Sequence, residues 1–121
     1  MTVFLVEDSS LLRERLQAML AAIPGLRAVG HASGAKEAIG AILAARPDAV
    51  ALDIHLAEGN GFDVLRGLRA AAFAPAIYVL TNYPLDGYRK SAERLGARGF
   101  FDKSNDIDPF IRAVGTMDSE E

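Results

Sequence analysis

Five residues of this chain carry polar groups at the ends of short apolar runs, where such groups need a partner. Glu7 and Asp8 follow Val3-Phe4-Leu5-Val6, and Asp53 follows Ala49-Val50-Ala51-Leu52. Thr81 follows Ile77-Tyr78-Val79-Leu80, and Lys103 comes just after Phe100-Phe101-Asp102. Three carboxylates gathered in one place repel one another unless a cation neutralises them. Mg²⁺ is the natural occupant, because it takes hard oxygen ligands and keeps several waters; Mn²⁺ is the alternative. A divalent cation, an ammonium and a hydroxyl together suit a phosphoryl group. Asp53, in the middle of that set, is then a candidate carboxylate nucleophile forming an acyl phosphate. Each residue alone has a plainer reading. Glu7-Asp8 is a solvated strand end or a helix N-cap, Thr81 a satisfied hydroxyl, and Lys103 a surface lysine. Asp53 resists that treatment, since a carboxylate beside an apolar run is costly near a core unless paired or metal-bound.

Whether the five meet depends on the elements that carry them. Residues 2–6, 26–31, 49–53, 76–80 and 98–102 read as strands, and the third is apolar on both faces, as in the centre of a parallel sheet. Helical spacing recurs between them. Leu12, Leu16, Met19, Leu20 and Ile23 mark a first helix, capped by Ser9 or Ser10 and ended by Pro24-Gly25. Ser33 is the expected cap of a second helix with Ala38, Ile39, Ile42 and Leu43 inward. Phe62, Leu65 and Leu68 mark a third, and Tyr88, Ala92 and Leu95 a weaker fourth stopped by Gly96. Ile107, Phe110, Ile111 and Val114 mark a fifth, with Pro109 in its first turn, where a missing N–H costs little. Strict alternation of strand and helix implies an α/β domain with a parallel sheet covered on both faces. Right-handed crossovers then make a flavodoxin-like (βα)₅ doubly wound five-stranded parallel sheet, strand order 2-1-3-4-5, the simplest arrangement. Ligands in such sheets bind beyond the carboxyl ends of the strands, where all five residues stand.

The set resembles the receiver domain of bacterial response regulators, the CheY-like superfamily. The matching pieces are Val6-Glu7-Asp8, Pro47-Asp48 leading to Leu52-Asp53-Ile54, Gly61 eight residues after Asp53, Leu80-Thr81, and the run from Gly96 through Arg98-Gly99-Phe100-Phe101-Asp102 to Lys103. Any one of these is a weak signal; five in order at family-like intervals are highly specific. The resemblance implies that Asp53 is the phosphoacceptor, that Asp8 is a direct Mg²⁺ ligand with Glu7 acting beside it, and that the His55 backbone carbonyl is a further ligand. It implies that Lys103 pairs with the phosphoryl group. It also implies that the Thr81 hydroxyl moves to bind phosphoryl oxygens, and that Phe100 is the aromatic switch residue, rotating inward when that hydroxyl moves. The protein is then a phosphoacceptor switch in a two-component phosphorelay more than a turnover enzyme. It would modify itself in a Mg²⁺-dependent way and lose the group slowly. Its donor is a sensor histidine kinase or histidine phosphotransfer protein. Its downstream protein target is met through helix 4, strand 5 and helix 5.

Particular residues individualise this chain. The switch position holds Phe100, without the phenol that tyrosine would offer. Ser104 follows Lys103, as often in receivers of LuxR/NarL-type regulators, where other receivers have proline. Ala57 replaces a common proline, and Asn82 a usually smaller residue. His55 and Tyr83 stand two residues beyond Asp53 and Thr81, places that in the family tune phosphoryl lifetime by admitting or blocking water; bulky Tyr83 suggests shielding. Arg89, Lys90, Arg94 and Arg98 form a modest basic patch, either a solvated face or part of the partner surface. A pseudo-receiver would usually lack one of the site residues. A phosphatase with an Asp nucleophile would have a second aspartate at the place of His55. A flavodoxin-like redox protein would need a hydroxyl- and glycine-rich loop where Glu7-Asp8 stands.

Composition bounds the rest. The 121 residues, half of them hydrophobic, suit one domain: residues 1–117 as the receiver and 118–121 as a short acidic tail. A net charge of −3 argues against direct nucleic-acid binding. The absence of cysteine excludes disulfides and thiolate metal sites. No apolar run approaches the roughly 20 residues that span a bilayer, and no signal peptide opens the chain, so a cytoplasmic location is expected. A single-domain response regulator is expected, and a receiver cut from a longer regulator would read the same to residue 121. A weak homodimer through helix 4, strand 5 and helix 5, or through helices 1 and 5, leaves no decisive mark in the sequence.

Overall fold

The computed structural model describes residues 1–117; the acidic tail 118–121 lies outside them. Five strands, β1 (Thr2–Val6), β2 (Arg27–Ala32), β3 (Ala49–Asp53), β4 (Ala76–Thr81) and β5 (Gly99–Asp102), alternate with five helices. These are α1 (Ser10–Ala21), α2 (Ala35–Ala45), α3 (Gly61–Ala70), α4 (Asp86–Arg94) and α5 (Ile107–Gly115). The strands pair in parallel in the order β2-β1-β3-β4-β5, the doubly wound flavodoxin-like sheet expected from the alternation.

Period-two alternation along the strands feeds two cores, one on each face of the sheet. Phe4 and Val6 of β1 and Val50 and Leu52 of β3 pack with Ile42, Val64, Leu65 and Leu68 from α2 and α3. Val3, Leu5, Ala49 and Ala51 face the other way, against Leu16 and Leu20 of α1 and Phe110 and Val114 of α5. Every residue of β3 is buried, which is why this strand reads as an unbroken apolar run ending in a carboxylate. Phe110, with no exposed surface, lies 5.9 Å from the Phe101 ring and 6.2 Å from Tyr78. Burying a ring of that size contributes about 2–3 kcal/mol, and here it fixes α5 against β5, the strand that leads to Lys103.

β2 ends one residue later than expected, at Ala32, β4 runs on to Thr81 and β5 starts at Gly99, and two further expectations shift. The second strand begins at Arg27, because the Leu26 amide donates to the Ile23 carbonyl at 3.2 Å and closes the turn after α1. Ser33 is not the cap of α2: Gly34 holds the N-cap position and no side chain of its own bonds there. The free amides of α2 are satisfied from a distant loop instead. Ala35 N–H donates to the Glu58 carbonyl at 2.8 Å, and Lys36 N–H donates to Glu58 Oε1 at 3.0 Å. Ser33 contributes its backbone, its carbonyl accepting from Ala57 N–H at 2.9 Å. The segment following Asp53 is thereby sewn to the start of α2. Ser9 does cap α1, its hydroxyl accepting from Leu12 N–H at 3.3 Å.

Candidate functional site

The acidic pair arrives at the sheet edge on β1. Glu7 is buried; its backbone N–H donates to the Ala32 carbonyl at 3.0 Å, and Oε2 accepts from Ser9 N–H at 3.0 Å. Asp8 is exposed. Asp53 comes from the end of β3 and is 5% exposed. Its Oδ1 accepts a long bond from His55 N–H at 3.3 Å, which turns the following backbone around the carboxylate.

Lys103 reaches them from the end of the edge strand β5, at the same carboxyl end of the sheet. A tight turn after β5 aims it: Asp102 N–H donates to Asp106 Oδ2 at 3.0 Å, while Asp102 accepts from Ser104 N–H at 2.9 Å and from Asn105 Nδ2 at 3.0 Å. Lys103 N–H itself donates to the Thr81 carbonyl at 2.9 Å, extending the β4–β5 ladder. The ammonium then lies 2.7 Å from Asp53 Oδ2 and 2.6 Å from Glu7 Oε1, with all three side chains almost wholly buried. Burial pushes the Lys103 pKa down, but hydrogen bonds to Asp53 and Glu7 and their charges outweigh it, so the net shift is upward. Burial pushes Glu7 up, and the opposing bonds from Lys103 and Ser9 do not fully offset it.

Carboxylate oxygens of Glu7, Asp8 and Asp53 lie within 4.8 Å of one another. Three carboxylates against one ammonium leave negative charge over. All the donors are hard oxygens, so the set fits a small divalent cation. The surrounding cavity, about 290 Å³, is lined by Glu7, Asp8, Asp53, His55, Tyr83 and Lys103, and also by Ser9, Leu12 and Asn82. Of the site residues expected from the sequence, these six line the cavity, together with Asn82, the residue that departs from the usual small one. Thr81 and Phe100 do not. Thr81 is fully buried at the same edge, and its hydroxyl accepts from Tyr83 N–H at 3.0 Å. Phe100 is buried one strand away, its backbone in register with Val79.

An aromatic string closes one side. The His55 ring meets Tyr83 edge-on at 4.7 Å and Tyr88 of α4 at 5.9 Å, and Tyr88 in turn meets Phe62 of α3 at 5.6 Å. Gly61 lets this side close up. A Cβ there would stand 2.5 Å from the Asp53 carbonyl oxygen and 3.0 Å from Ile54 Cα, so only glycine lets α3 start against the end of β3.

Fold and site together define an α/β phosphoacceptor-type domain, with an acidic, lysine-bearing pocket at the carboxyl edge of a parallel sheet. The family model for the response regulator receiver domain matches residues 3–115, and the chain belongs to that family, the switch modules of two-component signalling. DevR/DosR of Mycobacterium tuberculosis, a DNA-binding transcriptional activator, is 38% identical over 112 residues, 93% of this chain and 52% of that protein. A protein-glutamate methylesterase/protein-glutamine glutaminase of Desulfotalea psychrophila is 32% identical over 119 residues, 97% of this chain and 33% of its own length. The crystal structure of a LuxR-family two-component response regulator from Aurantimonas sp. SI85-9A1 superposes with a TM-score of 0.90 at 26% identity, covering 99% of this chain and 86% of that one. The chain thus spans about half the length of the first relative and a third of the second. Among the described residues no helix is long and apolar enough to cross a membrane.

Proposed function

We propose that this receiver, residues 1–117, takes a phosphoryl group on Asp53 from a phosphohistidine of a sensor kinase or phosphotransfer protein in the cytoplasm. The observation that carries the reading is the Lys103 ammonium 2.7 Å from Asp53 Oδ2, beside carboxylate oxygens clustered within 4.8 Å. An Asp53 oxygen forms the new O–P bond as the P–N bond of the donor breaks, and the departing imidazole keeps the electron pair and takes a proton from solvent. Lys103 stabilises charge on the transferring oxygens. Glu7, Asp8, Asp53 and the His55 carbonyl would hold Mg²⁺, or Mn²⁺, which when bound neutralises phosphoryl charge.

After transfer the Thr81 hydroxyl leaves the Tyr83 amide and donates to a phosphoryl oxygen, and Phe100, already buried before transfer, is retained inward behind it. The β4–α4 loop and the α4–β5–α5 face then change their affinity for a downstream protein, a population shift set by differential contacts with the phosphoryl group. His55 and Tyr83, in edge-on contact at the cavity wall, restrict the water that hydrolyses the acyl phosphate and returns Asp53 to its free form.

The test is intact-mass measurement after incubation with Mg²⁺ and acetyl phosphate. A single phosphoryl adduct, absent in Asp53→Asn and without metal, is expected. No adduct in folded protein that also fails to bind beryllofluoride would overturn the reading and leave a partner-binding module that works without phosphorylation.

A further inference from the structure

Phe100 has no group that can hydrogen-bond, so its position is decided by packing and by what its π-face meets. It is 7% exposed and belongs to the same core cluster as Val79 and Ala92. The Arg89 guanidinium carbon stands 4.7 Å from its ring centroid. Within that distance a guanidinium over an aromatic face is drawn to the ring quadrupole, more strongly where the pair is partly desolvated. Arg89 is half-buried, and its N–H donates to the Leu85 carbonyl at 3.0 Å, so its backbone is fixed in the first turn of α4. Its neighbour Tyr88 reaches the other way, to His55 and Phe62. Adjacent residues of one helix thus touch the loop after Asp53 and the ring on β5.

We propose that Arg89 is the positioning residue for Phe100, a guanidinium latch that holds the ring inward and sets how often it swings out. This rests on the reading of Phe100 as the switch residue and deepens it. A tyrosine at this place would be steered partly by its hydroxyl; here the cation above the ring takes over that part. The ring leaves its buried position only when the contact with Arg89 breaks. Any partner that draws the guanidinium away, with a carboxylate for instance, releases the ring as well.

Fluorine NMR of the full chain carrying 4-fluorophenylalanine reads the ring directly. The chain has six phenylalanines, and Phe100→Leu identifies the signal of interest. In protein never exposed to a phosphodonor, Arg89→Gln and Arg89→Met should move the Phe100 resonance towards that of a solvent-exposed ring, with the inward-to-outward ratio falling about fivefold. Arg89→Lys, which keeps a cation, should restore most of it. Both uncharged variants keep an aliphatic stem, so a role in packing alone would not separate them from lysine. An unmoved resonance in folded Arg89→Gln and Arg89→Met, or an equal shift in Arg89→Lys, would overturn the latch. Because no phosphodonor is present, this result is independent of whether Asp53 takes up a phosphoryl group.

Discussion

Lys103 Nζ and Asp53 Oδ2 meet at 2.7 Å although the two residues are 50 positions apart and their strands are separated by β4. The same ammonium holds Glu7 at 2.6 Å, so one cation bridges two buried carboxylates carried by different strands. Removing one partner from such a cluster leaves uncompensated charge in a poorly solvated place.

Lys103→Met is therefore expected to lower stability at neutral pH by about 3 kcal/mol. Added Mg²⁺ should recover much of the loss, because a divalent cation can take over the neutralisation. Urea unfolding with and without the ion measures both, and an unchanged midpoint in the variant would show that the ion pair is energetically idle.

Gly61→Ala should destabilise by about 1–3 kcal/mol, since the added methyl meets the backbone of Asp53 and Ile54 and no flexible side chain can give way. The displaced β3 end should also slow formation of the Asp53 adduct relative to the unaltered chain. Stopped time points of intact mass report the rate.

Glu58→Ala should cost about 1 kcal/mol, the usual value of a lost helix N-terminal cap. Amide exchange at Lys36 should rise, whereas exchange along α5 should not. Equal acceleration everywhere would mean that Glu58 supports the fold globally and not the α2 start.

Tyr83→Ala should shorten the life of the phosphoryl adduct severalfold, because it removes the ring that stands edge-on to His55 at the cavity wall. The decay of the adduct after removal of phosphodonor measures this. A longer life in the variant would reverse the assigned role.

Asp63 supplies a pH dependence away from the cavity. The Arg66 side chain at 2.7 Å, followed by the Asn60 amide, lowers its pKa below 3.8. A depressed carboxyl contributes stability above its unfolded pKa and loses it as pH falls through the folded value. Asp63→Asn keeps an acceptor for the Asn60 amide but not the charge. Its deficit relative to the unaltered chain should shrink as pH drops below about 3.8, as followed by urea midpoints at stepped pH.

Much of this was legible in sequence because the strand ends carry their own punctuation. Asp53 directly after four apolar residues announces both a central strand and a costly carboxylate, and the parallel order then brings Glu7, Asp8 and Lys103 to it. Long-range backbone bonds were not legible. Nothing near Ser33 signals that Glu58, on another loop, caps α2, because that contact depends on where two loops arrive in space. The ring contacts of His55, Tyr83, Tyr88 and Phe62 are of the same kind, since they join residues on two loops and two helices. The Asp102–Asp106 turn that aims Lys103 did leave a trace, two aspartates four residues apart at a strand end, which fits a side-chain-closed turn.

The late position of Lys103 in the chain has a consequence for biosynthesis. Polypeptides emerge from the ribosome N-terminus first and begin to fold in that order. Glu7 and Asp53 are therefore present, and β1 can already lie beside β3, before the ammonium that separates them has been made. A nascent chain at that stage holds two like charges at one end of a half-built sheet. Arrival of the edge strand completes the hydrogen-bonded ladder and brings the missing counter-charge in one event.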